Sequence, residues 1–456
     1  MIGASKENPW MERYLSVLSR DAIRQRTHLP GRPLRGLQED FVEVACERMT
    51  LALEGVFIAT ASICEIIQGE AERAIAYCLL SYPTAQIFLQ RAYAPPAGRE
   101  MYWPTCITGP AGTGKTELVK AIGRLFSGET EVFVDTEHGT FTHTPYASVQ
   151  IKGRTSVGRF LRPLAKPEIA AGKIRVAECD MADECSDWLY LNGTCLFGID
   201  ELQFMTQSAK ASTQVSQALL TCAYIGKPWH FIANYSLCWR LKRRPQEATQ
   251  RLLSRVVVLL PDPATSPDWL MVLKEYSIVV ADYFEFSLPE QAQLLWNLCA
   301  GLKRLLVRLL IHAYRLARKR GVRVASLTDV QTAYASEQLS PSREDVNALI
   351  RYAAQGGELS EDLRCPFVGG AISVAADAYA KDLRSARAAR VAAAARDASM
   401  TAAEREAAES IAARSQAGTV KDSGEVVKFR RRRPRTLESL QDAGRRFKQE
   451  QSPEAT

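Results

Sequence analysis

The sequence contains the segment Gly109-Pro110-Ala111-Gly112-Thr113-Gly114-Lys115-Thr116, which fits the pattern G-x-x-x-x-G-K-[ST] at every fixed position. An apolar stretch with β-branched residues (105–108) precedes it, and a helix-forming stretch (117–122) follows it. Strand, glycine-rich loop and helix in this order let backbone N–H groups turn inward around a triphosphate, beside the positive end of the helix. We predict that Lys115 reaches the β- and γ-phosphates and that the Thr116 hydroxyl holds Mg²⁺.

A second acidic element follows this loop along the chain. The segment 196–201 is a short apolar strand that ends in the carboxylates of Asp200 and Glu201. At such a strand end Asp200 can organise Mg²⁺, and Glu201 can polarise a water that attacks the γ-phosphate. A strand running into an acidic turn is common by itself, but after a complete phosphate-binding loop it favours a catalytic pair. Gly198 is the unusual residue here, since strand interiors favour larger side chains.

Two further elements bear polar or basic residues next to apolar runs. The apolar run 229–233 ends at Asn234, whose amide can bond the attacking water or the γ-phosphate. Arg251 and Arg255 precede the apolar run 256–260. An arginine there can project across a subunit boundary toward a neighbour's γ-phosphate, because its planar fork binds phosphate oxygens while staying charged. The alternative is a surface arginine near a helix end. We favour Arg255 over Arg251 for the role between subunits.

Composition and patterning set the architecture. The 456 residues can hold two or three domains, and short apolar runs alternating with helical stretches favour a parallel α/β sheet. The predicted strands are 105–108, 131–135, 195–199, 229–233 and 256–260. We predict four parts: a helical N-terminal segment (1–98), an α/β nucleotide-binding core (99–262), a helical lid (263–375), and an Ala/Arg-rich, largely exposed C-terminal extension (376–456).

Bulk properties exclude several classes of protein. No window approaches the ~18 apolar residues of a membrane span, and the first seven residues lack an apolar signal core. The 11 cysteines form no C-x-x-C pair, which argues against a zinc ribbon or a disulfide framework. The net charge of +7 permits a polyanionic partner without requiring one. We therefore expect a cytoplasmic protein with no membrane association.

In the order of these elements the chain resembles the AAA+ ATPases, across about 100–336. Within that family it is most similar to the TnsC/TniB-type regulators of transposition, mainly through the segment 246–255 (Gln-Glu-Ala-Thr-Gln-Arg-Leu-Leu-Ser-Arg). The Ser254-Arg255 pair also resembles initiator ATPases that load or remodel DNA complexes. The resemblance implies a core that binds ATP and Mg²⁺, and a homo-oligomer, ring or helical filament, on double-stranded DNA. It also implies transposase and target-selector proteins as partners, and a nucleotide-sensing role for Arg304 in the lid.

Candidate DNA contacts lie between core strands. The segment 150–159 mixes basic, hydroxyl and glycine residues, which suits contacts to successive phosphates. We single out Lys152, Arg154, Thr155 and Arg159. No base-reading pattern accompanies them, so little sequence preference is expected; a solvated loop is the alternative. The tract 428–435 has six basic residues in eight and could hold DNA or only solubilise the tail.

Together these features predict an ATP-dependent, DNA-binding regulator of transposition that oligomerises on target DNA and links a target selector to the transposase. Hydrolysis of ATP to ADP and phosphate would be slow, because a timing switch needs lifetime, and the protein would join the nucleoid when on DNA. Two alternatives stay open: another AAA+ DNA machine, such as a replication initiator or helicase loader, and a nucleotide-gated scaffold with little hydrolysis.

Overall fold

A computed structural model describes residues 8–94, 100–126, 128, 130–151, 153, 156–202, 211–367, 370–401 and 403–404. The chain divides into two compact units, residues 1–391 and 392–456. The N-terminal part of the first unit is helical, as predicted. Its helices are α1 (Pro9–Leu15), α2 (Arg20–Thr27), α3 (Val42–Glu54), α4 (Ala61–Ser81) and α5 (Ala85–Tyr93).

A five-stranded parallel sheet forms the centre of the first unit. Its strands lie in the order β4-β5-β6-β1-β7. They are β1 (Thr105–Thr108), β4 (Tyr146–Gln150), β5 (Leu196–Asp200), β6 (Trp229–Ala233) and β7 (Arg255–Val258). All residues of β1, β5 and β6 are buried, as expected for a parallel sheet covered on both faces. The predicted strands at β1, β5, β6 and β7 are confirmed to within two residues.

The fifth predicted strand is real but lies elsewhere. Residues 131–135 fall in β2 (Thr130–Asp135), which pairs antiparallel with β3 (Gly139–His143) in a separate hairpin. The prediction that this run joins the parallel sheet is wrong, and β4 takes that place. Val132 and Val134 are buried whereas Phe133 between them is 63% exposed. This alternation is typical of an antiparallel ribbon with one solvated face, and the turn is closed by Asp135, whose carboxylate accepts from His138 N at 2.7 Å.

Helices cover the sheet and connect its strands along the chain. They are α6 (Lys115–Phe126), α7 (Val157–Leu161), α8 (Pro167–Ala170), α9 (Met181–Leu191), α10 (Ala211–Ala223), α11 (Tyr235–Lys242) and α12 (Gln246–Leu252). The N-terminal helices share this core: Trp10 of α1 and Ile67 of α4 lie in one buried cluster with Ile122 of α6. Helices α1 and α4 are therefore packed parts of the core.

The described residues of the region predicted as a lid form helices joined by loops. Its helices are α13 (Pro267–Val280), α14 (Ala292–Cys299), α15 (Lys303–Lys319), α16 (Leu327–Ala335) and α17 (Ser340–Gln355), followed by α18 (Gly370–Ser399). Ser326 and Asp329 form a reciprocal capping box at the start of α16. Helix α3 belongs to the lid core, since Met49 and Leu53 are buried with Leu306 of α15. Within the described residues, no helix is both long and apolar enough to span a membrane.

Gly198 in β5 leaves room for a buried polar network that crosses the strand. The Tyr146 hydroxyl and His230 Nε2 are hydrogen-bonded at 3.2 Å, and His230 Nδ1 donates to Glu70 of α4 at 3.1 Å. Burial opposes ionisation of Glu70, but the His230 hydrogen bond and the charge of Arg73 outweigh it and lower the pKa of Glu70 to about 2. The network thus ties an N-terminal helix to the strands beside the site.

We expect Gly198→Ala to destabilise the protein by about 1–3 kcal/mol through overpacking. A Cβ at this position would lie 2.3 Å from Tyr146 Oη and 2.5 Å from His230 Nε2. Urea denaturation followed by fluorescence measures the change. Gly69→Ala in α4 is the control, since its Cβ meets nothing within 4 Å and alanine favours a helix. An unchanged midpoint for Gly198→Ala would contradict the steric argument.

Candidate nucleotide-binding site

A cavity of about 460 Å³ opens at the carboxyl ends of β1, β5 and β6. Ligands of open α/β sheets bind at this edge, where loops from neighbouring strands converge. The phosphate-binding loop after β1, the acidic end of β5 and the polar end of β6 all line it. The site residues in its wall are Ala111, Gly112, Thr113, Gly114, Lys115, Thr116, Asp200, Glu201, Asn234 and Arg304.

The conformation of the loop depends on its glycines. Gly109 packs closely on Leu259, the residue after β7. A Cβ at position 109 would lie 2.2 Å from the Leu259 carbonyl oxygen. Gly112 has φ +88°, in the left-handed region that favours glycine. The sequence pattern therefore reflects backbone geometry as well as the need for close approach to phosphate.

Lys115 lies at the start of α6, with its ammonium group folded over the loop. Its Nζ donates to the carbonyl oxygens of Gly109 at 2.8 Å and Pro110 at 2.7 Å. Burial, and then the nearby charge of Arg304, lower the pKa of Lys115 to about 8. An anion in the cavity would favour the charged form, because an opposite charge within reach raises the pKa of an amine.

Asp200 and Thr116 present oxygen ligands side by side. Burial raises the pKa of Asp200, and hydrogen bonds from Glu201 N and from the Thr116 side chain oppose the rise. Mg²⁺ prefers oxygen ligands and is held by one or two protein groups together with substrate phosphates and water. The pair fits this donor set. No cluster of three or more His, Cys, Asp or Glu side chains among the described residues offers an alternative metal site.

Glu201 adopts a backbone conformation that is rare for a residue with a side chain. Its φ is +62°, a left-handed conformation that costs about 1–3 kcal/mol and is concentrated at functional sites. Burial and the charge of Asp200 raise the pKa of Glu201, while Arg304 and Lys115 oppose the rise. The strained turn at the end of β5 therefore places this carboxylate among the charged groups of the cavity.

Asn234 and Arg304 also reach the cavity. Asn234 Oδ1 accepts from Leu237 N at 3.0 Å and caps α11, so the amide NH₂ remains as the donor end of this side chain. At the start of α15, Arg304 N donates to the Gly112 carbonyl oxygen at 3.3 Å. The neighbouring Lys303 forms an ion pair with Asp262 at 3.1 Å. The lid thus touches the phosphate-binding loop directly.

Arg255 and Arg251 lie away from the cavity. Arg255 is the exposed first residue of β7 and is in register with Thr105, at the amino end of the sheet. It therefore faces the opposite edge from its own phosphate-binding loop. Arg251 forms an ion pair with Glu247 at 2.5 Å and stacks over the Trp103 ring at 5.3 Å. The role that we predict for Arg255 requires a second copy of the chain.

Among the candidate DNA contacts, the described part of the chain includes only Arg159, which is exposed on α7. Lys152, Arg154 and Thr155 lie outside the described residues, as does the basic tract 428–435. Their proposed roles stay predictions.

The sequence reasoning missed an apolar wall of the same cavity. It combines residues from the loop between α3 and α4, from α4 and from two lid helices. These are Val56, Phe57, Ile58, Ile63, Val272, Tyr276 and Val307. The apolar run 56–58 is visible in the sequence, but it precedes the phosphate-binding loop by some fifty residues, and nothing local connects the two.

No protein-family model matches the sequence, and no curated protein is significantly similar to it. Among solved structures, the chain is similar to the ORC2 protein of Aeropyrum pernix in its ADPNP-ADP complexes, with 17% identity and a TM-score of 0.39, covering 59% of this chain and 71% of that one. It is also similar to the ORC1 protein of Aeropyrum pernix in complex with DNA, with 15% identity and a TM-score of 0.37, covering 75% and 71%.

A third solved structure is domain III of the Thermotoga maritima replication initiation protein DnaA, with 17% identity and a TM-score of 0.31, covering 55% of this chain and 88% of that one. Similarity at this level does not assign a function. The α/β fold itself is plain from the strand order, in which β6 separates the phosphate-binding strand β1 from the acidic strand β5. The chain therefore has the predicted α/β architecture, a parallel sheet with a helical N-terminal segment and a helical region after it.

Proposed function

We propose that this protein is an ATPase that assembles on double-stranded DNA when ATP is bound, and that it regulates DNA transposition. The observation that carries the proposal is the cavity in which Lys115, Thr116, Asp200, Glu201 and Arg304 meet. The cavity combines cations that can bind a triphosphate with carboxylates that can hold Mg²⁺ and activate a water. Phosphoryl transfer needs this set of groups.

The chain's own residues divide the chemistry among them. Lys115 and the loop amides bind the phosphates, while the apolar wall with Phe57 and Tyr276 encloses the base. Thr116 and Asp200 would hold Mg²⁺, which when bound neutralises charge on the phosphates. Glu201 accepts a proton from the attacking water, and the Asn234 amide orients that water or the γ-phosphate. Arg304 adds a positive charge from the lid.

The position of Arg255 supports assembly. Arg255 lies on the opposite edge of the sheet, so it reaches a γ-phosphate only in a neighbouring copy. Repetition of such a contact gives a head-to-tail ring or a helical filament. ATP held at the junction would then favour assembly, and hydrolysis to ADP would release it.

The DNA and transposition roles are supported by sequence. The basic segment 150–159 suits phosphate contacts, and the segment 246–255 resembles transposition regulators. A transposase and a target selector are the partners that this role requires. The Ser254-Arg255 pair supports a second candidate, a replication initiator or helicase loader, which shares the site and differs in its partners.

Electron microscopy with duplex DNA tests the proposal. We expect rings or filaments with an ATP analogue and Mg²⁺, and dispersed protein with ADP or without nucleotide, because the γ-phosphate is the group that joins neighbouring copies. Particles that stay monomeric under every condition would refute it. The transposase or a replicative helicase is then added to the assembled protein. Binding of the transposase favours the transposition regulator, and binding of the helicase favours the replication initiator or helicase loader.

The same assemblies test the DNA contacts. Lys152→Ala/Arg154→Ala should weaken duplex binding and make the plot of log affinity against log salt less steep, by roughly 0.9 for each phosphate that the variant no longer neutralises. Lys274→Ala/Lys319→Ala removes the same charge from exposed positions of the lid helices and serves as the control. An equal salt slope in both variants would show that the segment 150–159 does not contact DNA.

A further inference from the structure

Helix α3 has an unusual outer face. Its inner face packs on the lid core through residues such as Met49 and Leu53. On its outer side, Phe41 is 87% exposed, Val44 is 50% exposed and Leu51 is 65% exposed. Val44 and Leu51 are seven residues apart and lie along one stripe of the helix, and Phe41 is the residue directly before its first turn. Large apolar residues aligned on a solvated helix face mark an interaction surface more often than scattered ones do.

The same helix is acidic. Residues 39–54 contain five acidic residues and one basic residue. The basic residue, Arg48, lies within the stripe and forms an ion pair with Asp40. Glu47 and Glu54 are exposed. A partner of this face therefore needs apolar surface and positive charge.

The stripe leads to the mouth of the nucleotide cavity. Glu54 follows Leu51 by three residues, so the two side chains are neighbours on the helix surface. Glu54 also lines the cavity. Whatever packs on the outer face of α3 therefore lies beside the cavity, next to the apolar wall that contains Val56 and Tyr276.

The edge that carries Arg255 has the opposite charge. Residues 240–255 contain six basic residues and one acidic residue. Lys242, Arg243 and Arg255 are exposed, and Arg251 is half-buried. Part of this positive charge is compensated by ion pairs within the chain, since Arg243 pairs with Glu361 and Arg251 pairs with Glu247. Arg255 forms no ion pair within the described residues.

We propose that the outer face of α3 (Phe41, Val44, Arg48, Leu51 and Glu54) receives the Arg255-bearing edge (residues 240–255) of a second copy. This inference rests on the proposed function, since it names the surfaces that bring Arg255 to a neighbour's nucleotide. The contact is head-to-tail, because the two surfaces differ and lie at different places on one molecule. The apolar stripe on α3 is buried in this contact. The opposite charges of the two surfaces favour this orientation over others.

The charges argue against two other occupants. A second α3 would place like charges opposite one another in a symmetric contact, which is unfavourable. Nucleic acid would meet the same repulsion from its phosphates. An unrelated basic protein remains an outcome of the tests below.

Cross-linking between two differently tagged variants tests the orientation. Both carry Cys179→Ser, since Cys179 is the one exposed thiol among the described residues. One variant carries Leu51→Cys and the other Ser254→Cys, and the two are mixed with an ATP analogue, duplex DNA and a short bis-maleimide. We expect a cross-link that joins the two tags and that disappears with ADP. A cross-link formed by the Leu51→Cys variant alone, or none in assemblies that form, would overturn the proposal.

A second measurement separates this surface from the site itself. Phe41→Ser/Leu51→Ser should raise the protein concentration needed for ATP-dependent assembly by roughly 10- to 100-fold, while the affinity of the monomer for nucleotide stays the same. Leu79→Ser/Leu80→Ser is the control, as these leucines are 43% and 66% exposed on α4. If wild type and both variants assemble alike, the α3 surface is wrong and the proposed function stands. If wild type does not assemble at all, both fail.

Discussion

Lys115→Ala should reduce nucleotide affinity by roughly 100-fold, since a hydrogen-bonded charge contributes about 1.5–3 kcal/mol and the phosphates here lose their principal cation. The affinity should be measured by titration of a fluorescent ATP analogue into the protein. Assembly on DNA should disappear with it. Lys120→Ala is the matched control, because Lys120 lies further along α6, is exposed and pairs with Glu117 at 2.6 Å.

The pH dependence of binding gives a second readout of the same residue. Burial and Arg304 lower the pKa of Lys115 to about 8, so the ammonium is charged below that pH and loses its proton above it. Bound triphosphate favours the charged form. Affinity should therefore be constant near neutral pH and decline above about pH 8, with proton uptake on binding. Lys115→Ala should lack this decline; a decline that survives in the variant would show that another group titrates.

Glu201→Gln should reduce ATP turnover by roughly 10²- to 10⁴-fold, the usual contribution of a positioned general base. Nucleotide binding should persist, because the amide has nearly the same shape and no phosphate contact is removed. The expected consequence is an assembly that forms with ATP itself and does not dissociate. Steady-state phosphate release and the lifetime of the assemblies on DNA measure the two effects. Glu184→Gln on α9, paired with Lys166 at 3.7 Å, is the control.

The same variant decides whether the protein is an enzyme or a scaffold. A nucleotide-gated scaffold with little hydrolysis would show equal phosphate release and equal assembly lifetimes in wild type and Glu201→Gln. The geometry favours an enzyme, since the left-handed backbone at Glu201 is costly and is retained where a side chain has to be aimed. Equal behaviour of the two proteins would contradict this interpretation.

The structure brings together those candidate site residues whose positions follow from local structure. The phosphate-binding loop, the acidic end of β5 and the polar end of β6 are each read from a strand and the residues that follow it. Carboxyl ends of parallel strands lie at one edge of the sheet, so these elements had to converge. The roles of Glu201, Asn234 and Arg255 remain predictions that the variants above address.

The errors and omissions share a different origin. The run 131–135 is a strand, as predicted, but it pairs with β3 in a hairpin that has one exposed face. The strand that pairs with β5 in the central sheet is β4. Gly198 is unusual for a strand interior, yet it accommodates Tyr146 and His230 from neighbouring strands. In each case the deciding contact comes from a segment distant in the chain.

The sequence by itself determined that a glycine-rich loop follows a buried strand, because backbone conformation over eight residues depends on where glycine is present. It also determined the alternation of strands and helices, through the spacing of apolar residues. Only the tertiary structure decided that Phe57 and Tyr276 wall the same cavity, that Arg304 touches the loop, and that α3 joins the lid with one apolar face left exposed. These depend on packing between segments far apart in sequence, and periodicity records which face of an element is apolar without recording what covers it.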